Sequence, residues 1–200
     1  MDGRTLATLA ATGNAAKQQG FEPQMPGFVR VPYDDIDAVR RAAREAPGIV
    51  AVLVEPVQGE GGIRIASPDY LRALRELCDS QGWLLMLDEI QTGLGRTGAW
   101  FAHRHAGIAP DVMTLAKALG NGVPIGACLA RGTAANLFSA GQHGSTFGGN
   151  PLACRVACTV LGIMERDGMA QRAALLGERL LAGLRLALGG HPGVQAKIGR

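Results

Sequence analysis

The stretch WLLMLDEIQTGLGRTG (83–98) decides the fold. Its first five residues are apolar without alternation, the pattern of a strand covered on both faces in a parallel sheet. Two acids, Asp88 and Glu89, end the run, and a glycine-rich loop follows. A second run of this kind lies upstream, IVAVLVE (49–55), again ending in an acid. Between the two, Ser67-Pro68-Asp69 supplies a helix cap, a first-turn proline and a first-turn acid. The body that follows places Leu71, Leu74, Leu77 and Cys78 on one face. Downstream, DVMTLAKA (111–118) reads as a third strand ending at Lys117, and IGACLARG (125–132) as a fourth. Only the short loop LGNGVP separates them.

Outside this centre, DDIDAVRRAAREA (34–46) reads as a helix capped by Asp34 or Asp35 and ended by Pro47-Gly48. Asn150-Pro151 caps a long helix, another covers about 169–188, and residues 1–33 are loop-rich. Strands alternating with helices give an α/β fold with a mostly parallel sheet. In such sheets ligands bind beyond the carboxyl ends of the strands. Glu55, Asp88 and Lys117 all fall at that edge.

Composition narrows the class. Of 200 residues, 47% are hydrophobic and 18% charged, enough apolar surface to offset the entropy of ordering. Glycine supplies 29 of them, about twice the ordinary ~7% share. The net charge is +3 with basic residues dispersed, and aromatics are 4%. Neither a basic patch nor a stacking platform for nucleic acid is expected. No apolar run reaches the ~18 residues of a membrane span, and the N-terminus has no basic start before an apolar core, so neither a membrane anchor nor a signal peptide is expected. Cys78, Cys128, Cys154 and Cys158 form no C-x-x-C pair. Their apolar contexts favour buried, reduced thiols and a cytoplasmic setting, with no metal site.

Gly93-Leu-Gly95-Arg-Thr-Gly98 is a literal G-x-G-x-x-G. A dinucleotide reading fails on three counts. Five residues separate strand from first glycine where the turn should be tight, two carboxylates would repel a pyrophosphate, and the next strand ends in Lys117, not in a ribose-binding acid. Asp88 and Lys117 at neighbouring strand ends suit pyridoxal phosphate instead. There a lysine forms a Schiff base with the aldehyde and a carboxylate pairs with the pyridinium nitrogen. An ordinary salt bridge would account equally well for two such residues taken alone.

Their neighbours separate the two. VEPVQGEGG (54–62), LLMLDEIQTGLGRTG (84–98), DVMTLAKALGNGVPIGA (111–127) and HGSTFGGNPLAC (143–154) occur in that order. Together they resemble the class III pyridoxal-phosphate aminotransferases, and GRTLATLAATGN (3–14) with GFVRVPYDDIDAV (27–39) draws the resemblance towards the acetylornithine/ornithine group. The resemblance implies a three-layer α/β fold with a mostly parallel central sheet, the large domain of fold type I, present in part. Residues 1–166 would be large domain, and 167–200 the start of a small C-terminal domain.

By the same resemblance Lys117 is the Schiff-base lysine and proton shuttle, Asp88 the pyridinium partner, and Gln91 the contact to the ring hydroxyl. Ser145 and Thr146 would bind the cofactor phosphate of a neighbouring subunit, which implies a homodimer. Arg4 would clamp the substrate α-carboxylate, and Glu60 would hold a second arginine in check. Glu89 is expected to be structural, because neighbouring strand residues face opposite ways. Glu55 is read as a packing or hydrogen-bonding acid, His103 and His105 as surface residues, and His143 as without a chemical role. The implied reaction moves the terminal amine of N-acetylornithine or ornithine to 2-oxoglutarate, in arginine metabolism. Other class III ω-aminotransferases (of 4-aminobutyrate or succinylornithine type) and an inert fragment stay open. The family places an aromatic residue before Gly-Arg, where this chain has Met1-Asp2, and its chains extend further at both ends. The parent is therefore expected to be longer.

Overall fold

A computed structural model describes residue 3 and residues 5–189. Two short helices, α1 (Leu6–Ala11) and α2 (Ala15–Gln18), open the described chain. Helix α3 (Ile36–Glu45) is capped by Asp35, whose carboxylate accepts the Ala38 amide at 2.9 Å. Asp34 has a different task, accepting both the amide and the hydroxyl of Ser67. Ser67 in turn caps α4 (Pro68–Gln81), so one turn ties two helix starts together.

Strand β1 (Ala51–Val54) leads into the small hairpin β2 (Val57–Gln58) and β3 (Arg64–Ile65), which occupies what reads in sequence as a plain glycine loop. Then come α4, β4 (Leu84–Asp88), β5 (Val112–Leu115) and β6 (Ala127–Ala130). The sheet order is β1-β4-β5-β6. The first three strands are parallel and β6 is antiparallel to β5. Helices α5 (Pro151–Arg166) and α6 (Met169–Leu188) follow, α5 capped by Asn150.

Register decides which side chains share a face. Leu87 pairs with Met113, and Leu115 with Ala127, so one face carries Leu85, Leu87, Met113 and Leu115. Helix α4 covers its β1–β4 half through Leu74 and Cys78, and α5 meets its β5 half through Ala157. The opposite face carries Leu53, Met86, Asp88, Thr114 and Cys128. Strand β1 is not buried on both faces as its apolar run suggests: it is the edge strand here, and Leu53 is 38% exposed. The cysteines divide in the same way. Cys78 is buried and free. Cys128 and Cys158 are exposed and Cys154 half-buried, against the expectation of four buried thiols. Cys128 faces away from the helices, which is why an apolar neighbourhood in sequence did not bury it.

The G-x-G-x-x-G segment opens no helix. Gly95 packs against Ala170 of α6 and Gly98 against Ala174, where a Cβ on Gly98 would come within 2.9 Å of the Ala174 Cβ. At the amino edge of the sheet, Asp111 accepts the Leu85 amide at 2.8 Å and the Arg75 guanidinium at 2.7 Å. Burial pushes the Asp111 carboxyl up, but these bonds outweigh it and hold it below the ordinary carboxylate range. No described helix is long and apolar enough to cross a membrane.

Two outcomes follow from this packing. Leu74 is fully buried between α4 and the sheet, so Leu74→Ala should cost about 2–5 kcal/mol in denaturant unfolding. The Asp111 contribution is present above the unfolded carboxylate pKa of ~3.9 and is lost as pH falls through the lower folded value. Unfolding free energy measured from pH 6 downward should therefore fall more steeply below about pH 4 in the parent than in Asp111→Asn.

Candidate active site at the carboxyl edge of the sheet

The parallel pairing of β4 with β5 sets Asp88 directly opposite Thr114 on the face away from the helices. The β5 chain then runs through Leu115 and Ala116 into Lys117. Asp88 is 3% exposed. Its Oδ1 accepts the Ile90 amide at 3.1 Å, and no ion pair reaches it among the described residues. A buried carboxylate without a cation is costly and marks a place for one. Beside it the Thr114 hydroxyl is buried with no hydrogen-bond partner among the described residues. The two together form a polar spot that the described chain does not satisfy by itself.

Lys117 is exposed and adopts φ +46°, the left-handed region that non-glycine residues rarely enter. The turn after it leaves no choice. A Cβ on Gly120 would lie 1.9 Å from the Val123 carbonyl oxygen, so only glycine fits. The Gly120 amide closes the turn on the Lys117 carbonyl at 3.2 Å. The lysine is thus presented on a tight loop at the strand end, next to the strand carrying Asp88.

Gln91 is exposed and lies against the 56–62 loop, where a Cβ on Gly59 would come within 3.1 Å of its Nε2. Tyr33 anchors that loop by donating its hydroxyl to the Glu55 and Pro56 carbonyls at 2.9 and 3.0 Å. Burial pushes the Tyr33 phenol far up, so it remains a donor. Glu60 is exposed and forms an ion pair with Lys17 of α2. The fold therefore brings Asp88, Gln91, Lys117 and the Glu60 loop to one edge. Ser145 and Thr146 are exposed on the segment leading to α5, and neither hydroxyl is hydrogen-bonded among the described residues. Arg4 lies outside the described residues.

Glu89 faces away from Asp88, as the alternation of strand side chains leads one to expect. Its carboxylate is fully buried and accepts four hydrogen bonds, from Thr92 Oγ1, the Ala102 and His103 amides, and His103 Nδ1. Burial pushes the Glu89 carboxyl up, but these donors outweigh it and hold it below the ordinary range. His103 corrects its surface reading. It is 8% exposed, with its ring stacked on Phe101. Nothing in the local sequence distinguishes it from His105, which is exposed; only the return of the chain past Glu89 does. His143 is exposed, with its ring beside Phe138. Thr114 was also missed. Its signal was one hydroxyl inside an apolar strand three residues before the lysine. Among the described residues no group of three or more His, Cys, Asp or Glu could hold a metal ion.

Comparison with known proteins identifies the family. The model of the aminotransferase class-III family matches residues 1–196. An acetylornithine aminotransferase of Nitrosomonas europaea is 60% identical over 175 residues, 88% of this chain and 44% of that protein. Acetylornithine aminotransferase 1 of Bordetella bronchiseptica is 54% identical over 198 residues, 99% of this chain and 50% of that protein. An ornithine aminotransferase of Toxoplasma gondii, with PLP at partial occupancy in its active site, superposes with a TM-score of 0.91 at 41% identity, covering 97% of this chain and 46% of that one. The chain spans about half the length of the curated relatives it matches. With the family pattern running from end to end and the fold shared at this similarity, the chain belongs to the class III aminotransferases.

Proposed function

We propose that this chain carries the cofactor-binding part of an aminotransferase that moves the terminal amine of N-acetylornithine, or ornithine, to 2-oxoglutarate, giving a semialdehyde and glutamate. The observation that supports it best is the Asp88 carboxylate, buried without a cation among the described residues, on the strand beside the one that leads to Lys117. Two relatives named acetylornithine aminotransferase, at 60% and 54% identity, support the choice of amine.

The residues present fit pyridoxal phosphate. When bound, that cofactor supplies an aldehyde that reacts with amines and a ring that accepts the electron pair left when a carbon loses its proton. Asp88 would supply the counter-charge for a protonated ring nitrogen, because a buried carboxylate favours a cationic partner. Gln91, held against the Gly59 loop, would donate to the ring hydroxyl. Lys117 Nζ would hold the cofactor between turnovers. It would then take the proton from the amine-bearing carbon of the substrate and return it, a role open to a lysine whose charge state responds to its surroundings. Arg4 would pair with the substrate α-carboxylate through its planar fork.

Glu60 would bias the choice between the two substrates, and its ion pair with Lys17 places a cation at that position already. Residues 1–166 would form the cofactor domain and 167–200 would begin a second. The chain would act as a homodimer in which Ser145 and Thr146 reach the phosphate of the partner's site. Supporting this, their segment is exposed together with Phe138 at 70%, Phe147 at 81% and Leu152 at 72%, an apolar stretch of the kind that marks an interface.

Purified protein given pyridoxal phosphate should develop a visible absorption band that Lys117→Ala abolishes and Asp88→Asn shifts or weakens. With N-acetylornithine and 2-oxoglutarate added, glutamate should accumulate, and either substitution should lower its rate by at least about a hundredfold. A band that survives in Lys117→Ala would overturn the assignment of the lysine. A normal band with glutamate formed only from 4-aminobutyrate would overturn the substrate.

A further inference from the structure

The best-satisfied carboxylate on this edge belongs to a residue that faces away from the site. Glu89 follows Asp88 directly, yet its side chain turns to the other face and meets the chain where it returns at Ala102 and His103. One oxygen accepts Thr92 Oγ1 at 2.7 Å and the Ala102 amide at 2.8 Å, and the other accepts the His103 amide and His103 Nδ1, both at 2.9 Å. An ionised carboxylate only accepts, so Nδ1 carries the proton. The backbone of Glu89 is held as firmly. Its amide donates to the Thr114 carbonyl at 3.1 Å, and its carbonyl accepts the Gly93 amide at 2.8 Å. A Cβ on Gly93 would come within 2.8 Å of that same carbonyl, so the turn closes tightly against it.

We infer that Glu89 and His103 form a positioning pair for the cofactor contacts at Asp88 and Gln91, an inference that rests on the function proposed above. The pair closes the whole 89–103 excursion onto the end of β4. With the Glu89 peptide pinned from both sides, the strand exit cannot rotate, and Asp88 on the opposite face keeps its direction. Gln91 lies inside the closed loop, two residues from the pinned carbonyl. His103 has a distinct part, because it contributes both a backbone and a ring donor to one oxygen while its ring is itself braced on Phe101. Neither residue touches the reacting atoms; they act through Asp88 and Gln91.

The test uses the full chain and pyridoxal phosphate as probe. Glu89→Gln keeps shape but aims an amide donor at existing donors, and His103→Leu removes the ring donor together with its stacking on Phe101 but keeps the backbone amide. Amide hydrogen exchange of the cofactor-free protein should quicken at residues 90–92 in both variants. The dissociation constant for pyridoxal phosphate should rise by about tenfold to a hundredfold in Glu89→Gln, the scale on which residues that orient ligands act, and by less in His103→Leu. The visible band should shift in both while circular dichroism shows them folded. Quickened exchange with unchanged affinity and spectrum would overturn the inference and leave the pair a purely structural brace. Unchanged exchange in folded variants would overturn it as well. If the unsubstituted chain takes up no cofactor, the proposed function fails, and the positioning role fails with it.

Discussion

The parallel pairing of β4 with β5 is the constraint on which the rest depends. It aligns Asp88 with Thr114 and places the next residues of β5 on course to Lys117. It also lays Leu87 beside Met113 on the opposite face, so that α4 and α5 pack on one continuous apolar surface. A slip of one residue would exchange the two faces, sending the carboxylate into the helix layer and the leucines into the open. The site and the core are therefore fixed by the same register. Asp111 reinforces it from the far end by taking the Leu85 amide.

Around this axis the molecule divides its polar work between two adjacent acids. Glu89 is saturated by its own chain. Asp88 receives one backbone donor among the described residues. Side by side in sequence and opposite in direction, one is spent on architecture and the other is left with capacity for a partner. The contrast follows from strand geometry, in which neighbouring side chains point to opposite faces.

Much of this was legible from sequence. The apolar runs located β1, β4 and β5, and the caps at Ser67 and Asn150 marked the starts of α4 and α5. Asp88 and Lys117 stood out as charged residues at strand ends, and the order of four motifs pointed to their chemistry. The loop LGNGVP stood out as short, but no direction was assigned to β6; the antiparallel pairing fits that loop, since a parallel crossover needs a dozen or more residues. What stayed hidden depends on contacts between distant segments. The β2–β3 hairpin has two-residue strands, too short for a periodicity. The Glu89–His103 pair, the Lys17–Glu60 pair and the exposure of Cys128 are set by where the chain returns in space. No local pattern encodes that.

Lys117 carries a consequence that concerns selection more than chemistry. Its φ of +46° is a conformation in which glycine rests comfortably and every side chain is strained. Judged by heat resistance alone, glycine would be the better residue at 117. A laboratory search rewarding only thermal endurance would be drawn to a position that the proposed reaction cannot surrender. Endurance and turnover compete there at a single backbone angle.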